Sequence, residues 1–174
     1  MVGQTQEKVP SISMGHQASF LSDKPPRPTR RDPIGEWILK NYAPTKKAVG
    51  FHFERYDDFI FTPVVREDVR KLEATDQGHY TVYLPAFDEK VLLRYLRRIP
   101  EAEWEVFSKF SKKPNHIGNV KVFPVDNDMF MKSFAGARGV LTGAGFETPA
   151  VTLYLGKKLY TVPIIGQYEQ YCNA

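Results

Sequence analysis

One stretch of small and polar residues has the composition of an anion-binding turn. It comprises Thr142, Gly143, Ala144, Gly145, Phe146, Glu147 and Thr148. Thr148 is predicted to cap a helix whose first residue is Pro149, because both residue types favour those positions. A glycine loop that leads into a helix presents unpaired backbone N–H groups and the positive end of the helix dipole. The stretch therefore predicts a site for a phosphate or diphosphate group.

A second polar loop runs from Gly166 to Gln170. Three of its side chains, those of Gln167, Glu169 and Gln170, carry amide or carboxylate groups suited to sugar hydroxyls. The two loops together suggest a ligand in which a phosphate is joined to a polyhydroxylated group, such as a nucleotide sugar. Two structural alternatives stay open: the glycine loop as an ordinary strand–helix turn, and Glu169 as a residue favoured at a helix N-terminus.

A third candidate site lies at Phe123, Pro124 and Val125, where a predicted strand ends. Ligands of open parallel sheets gather at the carboxyl ends of strands, so these residues are predicted to hold a nucleoside. Packing in the core is the alternative. His16 also follows a predicted strand, and a structural or surface position is favoured over a role in a cleft. The other histidines lack the spacing of metal ligands, so no metal site is predicted, and no catalytic residue is assigned.

The elements that must position these residues alternate between strand and helix. Strands are predicted at 9–14, 48–53, 59–65, 80–84, 104–107, 120–125, 139–142 and 158–162. Helices are predicted at 34–42, 66–74, 88–99, 127–137 and 149–155. Alternation at this spacing is typical of βαβ units and predicts an α/β fold built on a parallel sheet.

Three of these helices carry apolar residues on one face, as amphipathic helices do. The first presents Ile34, Trp37, Ile38 and Tyr42. The second begins after a predicted cap at Asp88. Its core-facing residues are expected to be Val91, Leu92, Tyr95, Leu96 and Ile99. The third presents Phe130, Phe134 and Ala137.

The overall composition is that of an ordinary globular protein, with 42% hydrophobic and 25% charged residues. No apolar run approaches the roughly 20 residues of a membrane helix, and no signal peptide is evident. The single cysteine, Cys172, excludes an internal disulfide and suits a reducing compartment. These features predict a cytoplasmic location.

The chain has a formal net charge of +4, and its basic residues form two clusters. One lies in a proline-rich segment and contains Lys24, Arg27, Arg30 and Arg31; the other contains Arg94, Arg97 and Arg98. Such clusters could contact anionic lipid or nucleic acid, and a solvated surface is the favoured interpretation. Because no nucleic-acid motif accompanies them, no nucleic-acid partner is predicted.

The pattern GAGFET…LGK…VP…GQYEQ…NA, from Gly143 to Ala174, resembles the donor-binding signature of GT-B glycosyltransferases. It is most similar to a bacterial and archaeal family with this signature, and less so to the peptidoglycan N-acetylglucosaminyltransferase and the plant UDP-glycosyltransferases. The likeness is densest from about Gly139 to Ala174. A thinner likeness reaches back through His16 and Gln17.

The resemblance implies a division of the chain into two parts. Residues 78–174 are expected to form a Rossmann-like, C-terminally truncated donor-binding domain of the GT-B fold. Residues 1–77 are expected to form part of an acceptor-side α/β domain with a proline-rich connection. A whole enzyme of this kind has more chain at both ends, so the sequence is interpreted as a fragment.

The resemblance further implies transfer of a sugar from a nucleotide-sugar donor, with UDP the expected nucleotide, to an acceptor hydroxyl. The donor is a co-substrate, so no cofactor is expected, and no metal is expected at the diphosphate. One departure concerns Val151, since relatives place there a glutamate that holds the ribose hydroxyls. Valine cannot accept these hydrogen bonds, which lowers the expected donor affinity roughly ten- to a hundredfold.

Three points stay open on the sequence alone. The acceptor could be a glycan, a lipid or a small molecule, and the protein could contact the inner face of the membrane. The chain could instead be a non-catalytic nucleotide-sugar binding module, or a subunit completed by another chain. A nucleotide-sugar epimerase or hydrolase on the same plan is a third alternative, although the additional acidic and histidine groups it needs are not identified.

Overall fold

Residues 10–41 and 45–174 are described by the computed structural model, and their contacts divide the chain between Val64 and Val65. This division lies earlier than the predicted boundary at Gly78. The reason is that Val69 is fully buried in an apolar cluster with Phe134 and Val140, so the segment that carries it belongs to the second unit.

The first unit contains a three-stranded parallel sheet. Its elements are β1 (Ile12–Gly15), a 3₁₀ turn (His16–Leu21), α1 (Pro33–Asn41), β2 (Lys47–Phe51) and β3 (Ile60–Phe61). The strand order is β1-β2-β3, with Ile12 opposite Lys47 and Gly50 opposite Ile60. Gly50 is a glycine for steric reasons, because a Cβ there would lie 3.1 Å from the backbone nitrogen of Ser19.

Helix α1 is capped by Asp32, whose Oδ1 accepts hydrogen bonds from the backbone N–H groups of Ile34 and Gly35. The apolar face predicted for this helix faces solvent. Ile34 is 73% exposed, Trp37 66% and Ile38 49%, and no residue of the helix is buried. Tyr42, the fourth residue of the predicted face, lies outside the described residues.

The second unit contains a six-stranded sheet flanked by helices. Its strands are β4 (His79–Tyr83), β5 (Glu103–Ser108), β6 (Asn115–Ile117), β7 (Val120–Pro124), β8 (Gly139–Gly143) and β9 (Lys158–Val162). Its helices are α2 (Glu67–Arg70), α3 (Glu89–Leu96), α4 (Asn127–Gly136), α5 (Glu147–Tyr154) and α6 (Tyr168–Asn173). Strand β6 and the 3₁₀ turn were not predicted from the sequence, whereas a helix was expected to begin at Tyr168, where α6 starts.

The sheet order is β6-β7-β5-β4-β8-β9, and every pair is parallel except β6 with β7. Counted along the chain, the five parallel strands therefore follow the order 3-2-1-4-5 of a Rossmann-like fold. The strand order reverses between β4 and β8, and ligands in such sheets bind outside the carboxyl ends of the strands at this point. The predicted α/β fold with a Rossmann-like parallel sheet is confirmed.

Two apolar clusters cover the two faces of this sheet. Leu92 and Leu96 of α3 pack with Val82, Trp104 and Val106 on one face. The second cluster combines residues that lie within or directly after α2, α4, β8 and α5, namely Val69, Phe134, Ala137, Val140, Val151 and Leu155. Helices on both faces are what a parallel sheet requires, since its strands are apolar on both sides.

The cap predicted for α3 is confirmed, because the Asp88 side chain accepts a hydrogen bond from the backbone N–H of Lys90 at 2.8 Å. The predicted apolar face of α3 is only partly correct. Leu92 and Leu96 are buried, but Val91, Tyr95 and Ile99 are 41%, 59% and 41% exposed. The helix presents a narrow stripe to the sheet, and these three side chains lie beside it.

Candidate donor site

The predicted anion-binding turn joins β8, which ends at Gly143, to α5, which begins at Glu147. The predicted helix start is wrong by two residues. The N-cap position is Phe146 (φ −98°, ψ −47°), and no side chain caps the helix by a hydrogen bond. Thr148 and Pro149 lie within the first turn, where proline is tolerated because these N–H groups have no partner inside the helix.

Neither glycine of the turn is required by the fold itself. No described non-glycine residue has a positive φ, and the positive-φ glycines are Gly78, Gly118, Gly156 and Gly166 rather than Gly143 or Gly145. A Cβ at Gly145 would meet nothing within 4 Å, and one at Gly143 would lie 3.6 Å from Oε1 of Gln170. The open space beside Gly145 suits close approach of a ligand to the backbone, whereas Gly143 lies beside the Gln170 side chain.

The other residues of the turn divide into buried and accessible positions. Thr142 is 2% exposed and Ala144 is fully buried, so their side chains are part of the protein interior. Phe146 and Thr148 are half-buried, and Glu147 is exposed. Any ligand contact at Thr142 or Ala144 would therefore have to come from the backbone.

The second polar loop leaves the same edge of the sheet, since Gly143 is the register partner of Val162 at the end of β9. The loop turns at Gly166, whose φ of 84° favours glycine, and it is shorter than predicted because α6 begins at Tyr168. Gln167 is exposed, whereas Glu169 in the first turn of α6 is half-buried.

Gln170 holds this loop rather than pointing into open space. Its Oε1 accepts a hydrogen bond from the backbone N–H of Ile164 at 3.1 Å, and its Nε2 donates to Oε1 of Gln167 at 2.5 Å. One turn later, Nδ2 of Asn173 donates to the carbonyl oxygen of Ala144 at 3.1 Å. Side chains of α6 thus tie the two loops together.

The predicted nucleoside residues lie farther along the same edge. Three strand spacings separate β7 from β8, which corresponds to about 14 Å. Phe123 packs on Phe107 with ring centroids 5.5 Å apart, so it takes part in core packing. Pro124 is the last residue of β7, and Val125 is 50% exposed just beyond it.

The side chain of Val151 does not lie on an accessible surface of α5. The residue is 8% exposed and packs in the second apolar cluster, with Phe134 and Leu155 among its members. The resemblance implied that this position faces the ribose, and in this chain it contributes packing instead. The residue type agrees with this environment, because a buried carboxylate would need a partner there.

A cleft of about 640 Å³ lies elsewhere in the second unit, and Phe123 is the only predicted site residue that lines it. Its wall carries a buried polar chain that the sequence analysis missed. Nε2 of His79 donates to the carbonyl oxygen of Ser133 at 3.0 Å and lies 3.4 Å from Oε2 of Glu105. The hydroxyls of Thr81 and Ser133 are 2.7 Å apart. These groups satisfy one another, as buried polar groups must.

In the first unit, two buried histidines follow β1 and β2. Nδ1 of His16 donates to the carbonyl oxygen of Phe51 at 2.8 Å, and the rings of His16 and His52 lie 5.5 Å apart. Burial lowers the pKa of His52 to about 4, with smaller contributions from His16 and Arg27. The packing of His16 agrees with the structural role favoured from the sequence.

Residues 10–41 and 45–174 contain neither a metal-binding cluster nor a membrane-spanning helix. No group of three or more histidine, cysteine, aspartate and glutamate side chains in that part of the chain could hold a metal ion. Within the same residues, no helix combines the length and the apolar character needed to cross a bilayer.

Comparison with known proteins gives a family for most of the chain. The model of the family described as Glycosyl transferase family 1 matches residues 44–174. Among solved structures, the chain is similar to the glycosyltransferase SnogD from Streptomyces nogalater, with 14% sequence identity and a TM-score of 0.44. The similar region covers 84% of this chain and 40% of that one. No curated protein matches the chain.

Proposed function

The chain belongs to Glycosyl transferase family 1, and from this premise we propose that its second unit binds the diphosphate of a nucleotide sugar at the turn between β8 and α5. One observation carries the proposal. The turn lies at the carboxyl end of β8, beside the reversal of strand order, and it leads into a helix that no side chain caps. Unpaired N–H groups and the helix dipole favour an anion at this position.

The two glycines support the same proposal. Because the fold does not require glycine at Gly143 or Gly145, the absence of their side chains is explained by close approach of the diphosphate. The exposed side chain of Gln167 and the half-buried side chain of Glu169 would then lie toward the sugar, and Val125 and Pro124 toward the base. Gln170 would act by holding the loop in place, since both ends of its amide already bond within the protein.

The proposed reaction is transfer of the sugar to an acceptor hydroxyl. The acceptor oxygen forms a bond to the anomeric carbon while the bond from that carbon to the diphosphate oxygen breaks. The leaving diphosphate takes the electron pair, and the N-terminus of α5 stabilises its charge. The proton of the acceptor hydroxyl passes to a base that we do not assign to a residue of this chain.

Calorimetry with uridine diphosphate and with UDP-sugars tests the binding step. We expect both to bind at one site, and a crystal soaked in uridine diphosphate should show the diphosphate against the backbone of 143–148. An empty or blocked turn in such crystals, together with no heat of binding, would refute the proposal.

Transfer of a radiolabelled sugar to candidate acceptors separates the transferase from its main alternative. Binding with turnover identifies a transferase. Binding without turnover favours a nucleotide-sugar binding module, or a subunit that another chain completes. Analysis of the sugar product distinguishes the transferase and the binding module from two other enzymes. An epimerase would convert the sugar to its epimer, and a hydrolase would release it to water, in both cases without an acceptor.

A further inference from the structure

Helix α1 carries an apolar stripe on its solvent-exposed side. Ile34, Trp37 and Ile38 are spaced i, i+3 and i+4, so their side chains share one face. Their exposed fractions are 73%, 66% and 49%. Isolated exposed apolar residues are ordinary, but a contiguous stripe that includes a tryptophan marks an interaction surface.

Basic residues stand beside the N-terminal end of this stripe. Arg30 and Arg31 are exposed and directly precede the capping Asp32. The helix dipole disfavours cations at this end, although Nε of Arg31 lies 3.8 Å from the Glu36 carboxylate of α1. Segment 23–41 as a whole has five lysine and arginine residues against three aspartate and glutamate residues.

The acidic residues of the segment are largely turned inward or already paired. The side chain of Glu36 is 13% exposed and lies 3.8 Å from that of Arg27, which is only 5% exposed. The side chain of Asp23 pairs with Lys40 at 3.1 Å. The side chain of Arg31 is 56% exposed, and its Nε also lies 3.8 Å from Oε1 of Glu36. Because the segment has five basic residues against three acidic ones, the surface around the stripe carries an excess of positive charge.

We propose that α1 docks on an anionic lipid surface. Ile34, Trp37 and Ile38 would enter the boundary between headgroups and acyl chains, and Arg30 and Arg31 would contact lipid phosphates. The excess of positive charge favours this occupant over a second copy of the chain, whose identical surface would repel it. The helix has nine residues and would lie in the plane of the surface. This inference does not depend on the proposed function.

Sedimentation with vesicles tests the proposal. One vesicle preparation contains phosphatidylcholine with about 30% phosphatidylserine, and the other contains phosphatidylcholine alone. We expect the chain to bind the anionic vesicles at low ionic strength and to bind neutral vesicles at least about tenfold more weakly. Salt at about 1 M should reduce binding to the anionic vesicles, because it shortens the Debye length to about 3 Å.

Two variants separate the apolar and charged contributions. Trp37→Ser with Ile38→Ser should abolish binding, and Arg30→Glu with Arg31→Glu should weaken it at least about tenfold. A matched control is Val64→Ser, which changes a 79% exposed apolar residue outside α1 and should bind as the wild type does. Circular dichroism melts check that each variant is folded, as expected for substitutions of exposed side chains.

Tryptophan fluorescence gives an independent readout. The chain has two tryptophans, of which Trp37 is 66% exposed and Trp104 is 8% exposed. Acrylamide therefore quenches mainly Trp37 in the free protein, and anionic vesicles should protect it and shift its emission to shorter wavelength.

Two results would overturn the proposal. One is equal sedimentation of the wild type and the Trp37→Ser, Ile38→Ser variant with anionic vesicles, which includes the case in which neither binds. The other is a stable dimer in analytical ultracentrifugation without lipid that the same variant dissociates, because the stripe would then be an interface between copies.

Discussion

The side-chain oxygen of Gln170 lies 3.1 Å from the backbone nitrogen of Ile164, so the helix after the second polar loop also fixes the start of that loop. The same side chain lies 3.6 Å from the point where a Cβ would stand on Gly143. One glutamine therefore bonds within the second loop and stands beside the first. This arrangement makes Gln170 a positioning residue, and it leads to the first prediction.

Gln170→Ala should weaken binding of uridine diphosphate and of UDP-sugars by the same factor, about tenfold. The Ile164 N–H loses its partner, which should also lower the free energy of unfolding by about 1 kcal/mol. Calorimetry and urea denaturation measure the two effects. Gln167→Ala is the matched control for stability and for uridine diphosphate, which lacks the sugar, because it leaves the bond to Ile164 in place and should have a smaller effect on both. A loss confined to UDP-sugars would instead show that the Gln170 amide contacts the sugar directly.

Gly145→Ala should separate ligand binding from stability. A Cβ at this position meets open space and the φ is not positive, so the free energy of unfolding should stay the same or rise by about 0.4–1 kcal/mol. Affinity for uridine diphosphate should fall more than about tenfold, because the methyl group occupies space proposed for the ligand.

Gly156→Ala is the control for this experiment. Its Cβ would also meet open space, but the φ of 66° is strained for alanine. This variant should lose about 1 kcal/mol of stability and keep its affinity. Unchanged affinity in Gly145→Ala would contradict a diphosphate at the turn.

The first unit should lose stability as the pH falls from about 6.5 to about 4. Burial holds the pKa of His52 at about 4 in the folded chain, against 6.5 for an ordinary histidine, so the unfolded chain binds the proton more readily in this range. The loss should be roughly 2–3 kcal/mol at the acidic end.

In the wild type, the backbone N–H of Phe53 donates a hydrogen bond to Nδ1 of His52. His52→Asn removes the titrating ring, and its side-chain oxygen replaces Nδ1 as the acceptor. Urea denaturation followed through Trp37 should show a flatter pH dependence for this variant. His116→Asn, at an exposed position in β6, should retain the wild-type dependence. If the free energy of unfolding depends on pH equally in the wild type and both variants, the protonation of His52 does not cause that dependence.

Asp88→Ala should destabilise the second unit by about 1 kcal/mol, because the N-terminus of α3 loses the side chain that accepts from Lys90. Thermal unfolding followed by circular dichroism measures the change. Glu101→Ala, an exposed acidic residue in a turn, provides the control and should alter stability by less than about 0.5 kcal/mol. Equal stability of the two variants would mean that the hydrogen bond from Lys90 to Asp88 does not stabilise the second unit.

The parts of the structure that the sequence predicted well are governed by local chemistry. Asp88 caps α3 because its carboxylate accepts a hydrogen bond from the backbone N–H of Lys90, two residues later in the chain. Strand β9 lies at the predicted residues 158–162. The start of α5 was misplaced because Thr148 and Pro149 fit a helix start, whereas the chain enters the helix through the unfavoured Phe146.

Long-range packing decided the features that were missed. Periodicity identified the stripe on α1 correctly as one face, but it does not reveal whether anything covers that face. Val91 and Leu92 both fit the helical spacing of apolar residues in α3. Leu92 is buried and Val91 is exposed because the sheet contacts only a narrow part of the helix surface, which the spacing does not reveal. The bond from Gln170 to Ile164 spans a turn at Gly166, and residue type alone could not distinguish it from a ligand contact.

The antiparallel strand β6 affects how the second unit meets other molecules. It forms one rim of the large sheet with three residues, with β9 at the other rim, and Asn115 and His116 there are exposed and polar. So short and polar a rim is a poor template for strands of other chains. Strand β1 borders its sheet with Ile12 and Met14 exposed. Heat-induced aggregation should therefore begin at the exposed apolar edge β1 rather than at β6.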